Sequence, residues 1–447
     1  MLRLAVLALI LAPTLSSAQR TFGAEDRAEF GGRRTRLLER IGNGVAIVFA
    51  APENREPVNF RQAPDFWYLT GIDDPGAVLV LDGRTKQGRV YARRVPEWKR
   101  FAEGPGLRDR RDAASVYGIA IHPLEHLVDS LPAMLAGADT LWLPLRPQDE
   151  LQFGREELMQ EEQLERAHPL LGGVASPIRR GVDRVRSLAP SKPVGDVTLL
   201  LDRMRWIKSP YEIERMRTAG KIGADAVAKA IEGTRPGQYE FQLEADANWV
   251  VQRNGARVAF TPIVASGPNG IIWHYTANDR RMQDGETVYM DYGADVDYYT
   301  SDITRTWPVG GTFTAEQARM YRCILEARDA IIGVMKAGVT LQQMQDAAER
   351  VYDRFGYRAQ FEALGRYVGH PVGVSVHDPG GMAPSTVLQA GVVWNVEPIL
   401  EFRDRGIHMR LEDTILVTPT GADNLTAGVP VSVEEVQALV RRPDATP

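Results

Sequence analysis

Cross-linking chemistry is almost missing from this 447-residue chain, which has one cysteine, Cys323. No disulfide can form within it, so stability must come from packed cores and bound ligands. Cys323 lies inside the helical pattern "EQARMYRCILEARDAIIGVM" with no histidine near it in sequence, and is read as a buried helix residue rather than a nucleophile. A dominant charge of one sign is missing too. The net charge of −5 gives no general attraction to nucleic acid or an anionic membrane. Local basic spots, Arg33-Arg34 and the stretch 179–186, read as solvated surface. No stretch approaches the ~20 consecutive apolar residues of a spanning helix. The opening "MLRLAVLALILAPTLSSAQR" has Arg3, a short apolar run and small residues ending at Ala18. That pattern predicts a signal peptide over 1–18, cleavage near Ala18, a periplasmic or secreted protein, and no stable membrane insertion afterwards.

What is present points to two domains, since 447 residues exceed one ordinary core. From about residue 20 to 180, helical patterns such as "RTRLLERI" alternate with strand patterns such as "GVAIVFAA", "GAVLVLDG" and "DTLWLPL". This rhythm predicts an α/β domain over 19–180. A Gly-, Pro-, Ser- and Arg-rich stretch follows, and 181–205 is expected to link it to a second domain over 206–447. There Ser209, Pro210 and Glu212 form a capping-box signature, with Ile213, Met216, Ala219 and Ile222 at helical spacing. Two helical patterns and then strands appear, and the same order repeats after residue 315. The second domain is therefore expected to be a pseudo-symmetric α+β unit.

Residues of ligand type interrupt or flank the strand patterns of that unit. They are Asp291 in "VYMDYG", Asp302 in "TSDITRT", His370 in "YVGHPVG", Glu397 in "VWNVEPIL" and Glu412 in "MRLEDTILV". A hairpin turning near Val296-Asp297 would set Asp291 opposite Asp302, both on one face. Four converging carboxylates would repel, and most would take up protons. Two divalent cations would cancel the four charges, and an oxygen-rich set with one imidazole suits Mn²⁺, Co²⁺, Fe²⁺ or Zn²⁺. On spacing alone, a separate surface ion pair for each acid is an equal alternative.

The segments "DYGADVDYYTSDITRTWPV", "GHPVGVSVHD", "VEP" and "RLED" resemble the motifs of the pita-bread metallopeptidases, in the branch containing aminopeptidase P and prolidase. "TPIVASGPNGIIWHYTAND" is similar to the segment that carries a catalytic histidine there. "RQAPDFWYLTGIDDPGAVLVL" resembles the N-terminal domain of bacterial aminopeptidase P. The resemblance covers nearly all of 25–440 and implies a creatinase-like N-terminal domain before a pita-bread catalytic domain. It implies five metal ligands: Asp302 and Glu412 bridging two ions, Asp291 on one, His370 and Glu397 on the other. Manganese is the first expectation, with Zn²⁺ or Co²⁺ as alternatives. His274 and His377 would face the substrate, Glu397 would shuttle a proton, and Arg410 would brace the site.

The implied activity is hydrolysis of Xaa-Pro bonds in proline-containing peptides by an Xaa-Pro aminopeptidase, a homodimer or homotetramer. Trp67, Tyr68 and Trp273 are available to line a proline pocket. One departure stands out. Where the family usually has a histidine four residues before the ligand histidine, this chain has Arg366. An arginine facing the cleft could bind a substrate carboxylate, which opens an Xaa-Pro dipeptidase or a proline-specific carboxypeptidase as alternatives. Remoter alternatives are a metal-free creatinase-like hydrolase and a non-catalytic peptide-binding module.

Overall fold

The computed structural model describes residues 22–53, 60–150, 152–170, 172–173, 175–380 and 382–441. The predicted signal peptide lies outside them. Among the described residues no helix is long and apolar enough to cross a membrane.

The N-terminal half is built on a six-stranded sheet in the order Ala120–Pro123, Gln87–Ala92, Val78–Asp82, Val45–Phe49, Leu141–Leu143, Val194–Asp196. The central runs "VAIVF" and "VLVLD" are mostly aliphatic and, apart from half-buried Phe49, buried on both faces, as strands covered on two sides must be. The helix Ala24–Arg40 packs on this sheet and carries Arg33 and Arg34 inward. That corrects their reading as surface. Arg33 donates to the Tyr68 carbonyl (3.0 Å) and the Tyr299 hydroxyl (2.6 Å), and Arg34 to the carbonyls of Leu69 (2.9 Å) and Gly118 (3.0 Å). Buried guanidinium groups here satisfy carbonyls at the C-terminal ends of the helices Pro64–Thr70 and Ala113–Tyr117.

The expected linker over 181–205 is also corrected. It contains most of the helix Pro177–Leu188, the edge strand Val194–Asp196 and the helix Val197–Arg205. Its small residues serve close packing: a side chain at Gly195 would come within 2.6 Å of the Trp142 ring.

In the second half, Ser209 caps the helix Pro210–Gly233 by accepting from the Glu212 backbone N–H while Glu212 reaches back, as its sequence predicts. That helix pairs with Glu240–Arg253, and Ala315–Val334 pairs with Leu341–Phe355. Cys323 is fully buried in the third of these. Each pair is followed by strands. The first set is Ile263–Ser266, Thr287–Tyr292 and Ile303–Pro308; the second includes Gly369–Pro371, Val393–Val396 and Asp413–Val417. The two sets meet where Thr304 and Glu412 bond each other's backbone, at 3.3 and 3.1 Å.

The hairpin from Thr287 to Pro308 turns at Asp297-Tyr298, both in the left-handed region (φ 52° and 71°). Asp291 therefore pairs with Thr304, not with Asp302 as expected. The register differs from the expected one by two residues, so Asp302 lies diagonal to Asp291 on the same face. Gly293 permits the tight crossing, since a side chain there would collide with the Ser301 carbonyl. The tip of this hairpin enters the N-terminal half. The Tyr298 ring stacks on Trp67 at 4.5 Å, and its hydroxyl accepts from the Gln62 N–H (3.0 Å) and donates to Asp73. Arg61 holds Asp295 and the Val374 carbonyl (2.7 Å). One hydrophobic core runs through this junction, from Phe30 and Trp67 to Tyr299, Val372 and Val374. Trp67 and Tyr68 thus belong to the core and not to the lining of the cleft described below.

Candidate active site

Asp291 is the last residue but one of its strand, Asp302 precedes the next, His370 sits mid-strand, Glu397 follows Val393–Val396, and Glu412 precedes Asp413–Val417. These strand ends converge on a cleft of about 590 Å³. All five ligand-type residues line it, as do His274, His377 and Arg410. The ligand-type side chains are buried, between 1% and 6% exposed, too buried for the surface ion pairs of the alternative reading. Ligand atoms of Asp302, His370 and Glu412 lie within 4.8 Å of one another. The His370 Nε2 is 3.5 Å from Asp302 Oδ2, 3.8 Å from Glu412 Oε1 and 3.9 Å from Glu397 Oε2. Its Nδ1, 3.2 Å from the Pro371 carbonyl, is suited to donate there, which leaves Nε2 as an acceptor.

The electrostatics have a direction. Burial, and then the charge of Asp302, push the Asp291 carboxyl well above its ordinary range. Burial and Asp302 do the same to Glu412. Asp302 is pushed up to about 7 by burial and by Glu397. Glu397 departs from them. Burial would raise it, but the Arg410 guanidinium, then His370 and the Tyr367 hydroxyl, hold it below the usual carboxylate range. Arg410 donates to Asp291 Oδ2 (2.7 Å) and lies 3.1 Å from Glu397 Oε1. One arginine cannot neutralise four acids. Asp291 Oδ1 and Asp302 Oδ1 are buried with no hydrogen-bond partner. Buried orphan oxygens beside an imidazole nitrogen fit divalent cations of the hard and borderline class.

Neighbouring groups fix the ligands in place. The Thr304 hydroxyl and the Asn395 amide donate to Glu412. Arg305 donates to the Glu412 carbonyl (2.8 Å) and to Asp413 (2.8 Å), and Arg328 closes on Asp413 from the other side. Tyr367 donates to Glu397 Oε2 at 2.7 Å. Its position in "GRYVGH", three residues before His370, is the one trace of it in sequence. His274 is held below its usual value by burial and by Arg410, which keeps it neutral. The apolar wall comprises Phe260, Ile263, Trp273, Val376 and Met382.

Arg366 is not in this cleft. Its guanidinium bonds Asp346 (2.7 Å) and Glu349 (2.6 Å) on the helix Leu341–Phe355. The expected substrate contact is corrected, and the reason is local. Gly365 and Arg366 both take left-handed backbone (φ 66° and 58°), so no regular period connects residue 366 to His370.

A wall of the cleft that the sequence did not announce comes from the N-terminal half. Gln152, Gly154, Glu156 and Glu157 line it at the start of the helix Arg155–Arg166. Beneath them lies a buried ionic network. Arg155 bonds Asp65 (2.8 Å) and Asp202 (2.9 Å). Arg205 bonds Asp149 (2.6 Å) and Asp378 (2.7 Å), and Lys208 also reaches Asp378 (2.9 Å). Asp378 follows His377, so the loop that carries this histidine is held from the N-terminal side.

A two-domain architecture with a carboxylate-rich cleft between two half-sheets is the arrangement of a metal-dependent hydrolase. The model of metallopeptidase family M24 matches residues 214–419, and that of the aminopeptidase P N-terminal domain matches 30–142. The Xaa-Pro aminopeptidase of Escherichia coli is 32% identical over 93% of this chain and 98% of its own length, and that of Haemophilus influenzae is 30% identical over 93% and 97%. The solved structure of zinc-substituted E. coli aminopeptidase P in complex with product superimposes with a TM-score of 0.79, at 30% identity over 93% of this chain and 98% of that one. The chain belongs to metallopeptidase family M24. It has the aminopeptidase P type of N-terminal domain and the pita-bread fold that its motifs led us to expect.

Proposed function

We propose that this protein is an Xaa-Pro aminopeptidase working with two divalent cations held by Asp291, Asp302, His370, Glu397 and Glu412. Asp302 and Glu412, whose ligand atoms cluster with that of His370, would be the bridging pair that the family resemblance implies. The observation that carries the reading is the pair of buried carboxylate oxygens without partners, Asp291 Oδ1 and Asp302 Oδ1, in a cleft with a large apolar wall. Bound cations supply Lewis acidity and lower the pKa of a coordinated water.

The chain's own residues do the rest. The apolar wall admits a proline ring and excludes water. His274, neutral and beside the ligands, donates an N–H to the oxygen that gains charge in the tetrahedral state. Glu397 keeps its charge through Arg410, so it can accept a proton and return it to the departing proline nitrogen. Arg410 holds Asp291 and Glu397 in one orientation.

The direction of attack follows from charge. Among the described residues, Arg410 is the cleft's one arginine or lysine, and Asp291 and Glu397 already engage it. A substrate C-terminal carboxylate therefore has no clamp, which favours aminopeptidase over dipeptidase or carboxypeptidase action. Manganese, export through the N-terminal segment, and a homodimer or homotetramer remain part of the proposal. The test is metal content measured together with a panel of Xaa-Pro dipeptides, Xaa-Pro-Yaa peptides and peptides ending in proline. Two ions per chain and release of Xaa from Xaa-Pro-Yaa are expected. Cleavage confined to dipeptides or C-termini would overturn the direction. In Glu412→Ala, two ions still bound would overturn the bridging assignment.

A further inference from the structure

The wall from the N-terminal half does more than narrow the cleft. Glu157 Oε2 lies 3.1 Å from His377 Nδ1. An ionised carboxylate only accepts, so Nδ1 must carry the proton of this hydrogen bond. Glu157 stays ionised: burial would raise its carboxyl, but the hydrogen bonds from His377 and from the Gly154 N–H hold it below the usual range. The Gly154 N–H donates to the same oxygen at 2.8 Å, so the carboxylate is itself fixed by the start of its helix. A side chain at Gly154 would already touch His377, at 3.4 Å from its Cβ and its carbonyl oxygen. The next residue, Arg155, is 1% exposed and anchored to Asp65 and Asp202. On the other side Asp378 is tied to Arg205 and Lys208. The His377 ring stands perpendicular to His370, with centroids 4.2 Å apart. The imidazole is thus gripped at Nδ1, beside its backbone and at the following residue, and Nε2 is the nitrogen left for a ligand.

We propose that Glu157 is a positioning residue for the peptidase reaction: by accepting the Nδ1–H of His377 it sets the tautomer and ring orientation in which Nε2 meets the substrate. The N-terminal domain thereby supplies part of the catalytic geometry from within the same chain. The kinetic arm of this inference rests on the Xaa-Pro aminopeptidase reading; the spectroscopic arm does not.

Two measurements decide it. The first is the long-range ¹H–¹⁵N imidazole spectrum of the ¹⁵N-histidine-labelled protein, with His377 assigned by loss of its signals in His377→Ala. Wild type and Glu157→Gln, whose amide oxygen still accepts, should show His377 as the Nδ1–H tautomer; Glu157→Ala should show a mixture. The second is a double-mutant cycle on an Xaa-Pro-Yaa peptide. Glu157→Ala should lose about tenfold in kcat/KM, the scale of a lost orienting partner. It should lose less than about twofold when His377 is already Ala, because contacting residues couple. Glu157→Gln should recover most of the loss. An unchanged His377 spectrum in Glu157→Ala, or an equal loss in both backgrounds, overturns the proposal. A wild type inactive on every Xaa-Pro-Yaa peptide overturns the reading of function instead, and the spectrum still decides the role of Glu157.

Discussion

Removal of the metal should make the stability of this protein fall with rising pH, and Asp302→Asn should make that fall shallower. Asp302 is pushed up to about 7 in the fold, from an ordinary 3.8. Between those values the folded chain binds a proton that the unfolded chain has lost. The stabilisation is therefore complete below 3.8 and disappears as pH rises through 7. Over the whole window this one carboxyl costs the metal-free fold about 4 kcal/mol, and about 3 kcal/mol of it accrues between pH 5 and 8. Asp291 and Glu412 shift in the same direction and add to the slope. At about 2–4 °C per kcal/mol for a domain of this size, Tm should drop by about 6–12 °C from pH 5 to pH 8. The assay is a melt of chelator-treated protein across that range at one scan rate, beside the metal-reconstituted protein. Loaded protein should lack the fall, because the cations neutralise the acids. Metal-free Asp302→Asn should melt above metal-free wild type at pH 8 and near it at pH 5. A metal-free wild type whose Tm is flat or rises over this range would falsify the reasoning, as would an Asn variant with the same slope.

His274→Ala should keep both ions yet lose about 10²–10³-fold in kcat, the scale of a lost oxyanion donor, as read by metal analysis and initial rates; near-normal rates would return it to a packing role. Tyr367→Phe should leave metal content intact and lower kcat several-fold, since Glu397 loses the 2.7 Å donor that helps keep it ionised. Arg366→Ala should cost at most about 1 kcal/mol of stability, as partly exposed ion pairs do. It should change rates on C-terminal acids and amides equally; a selective loss on acids would restore the cleft-facing arginine.

Much of the site was legible because ligand chemistry breaks the apolar pattern of a strand, as Asp291 does after "TVYM" and Glu397 after "VVWNV". Face was easier to read than register. The hairpin pairing was misplaced by two residues, and an even error leaves Asp291 and Asp302 on one face where an odd one would have separated them. The turn itself was hidden, because Asp297-Tyr298 holds two left-handed residues without glycine. Arg366 failed for a related reason: spacing predicts direction only through regular backbone, and Gly365-Arg366 is not regular. The wall at Gln152–Glu157 was out of reach. No pattern in the sequence sets this stretch beside His377; the buried ion pairs of Arg155 with Asp65 and Asp202 hold it there.

The hairpin also ties two equilibria together. Its stem carries Asp291 and Asp302, and its tip is seated in the N-terminal half through Tyr298, Asp73 and Arg61. Any hinge motion that parts the two halves must pull on the strands that present these aspartates. Ion binding and domain apposition are then thermodynamically linked, and the linkage is reciprocal. Whatever free energy the ions add to keeping the halves together, closed halves return as ion affinity. Ion occupancy can then report how closed the molecule is, even though no ligand sits at the hinge.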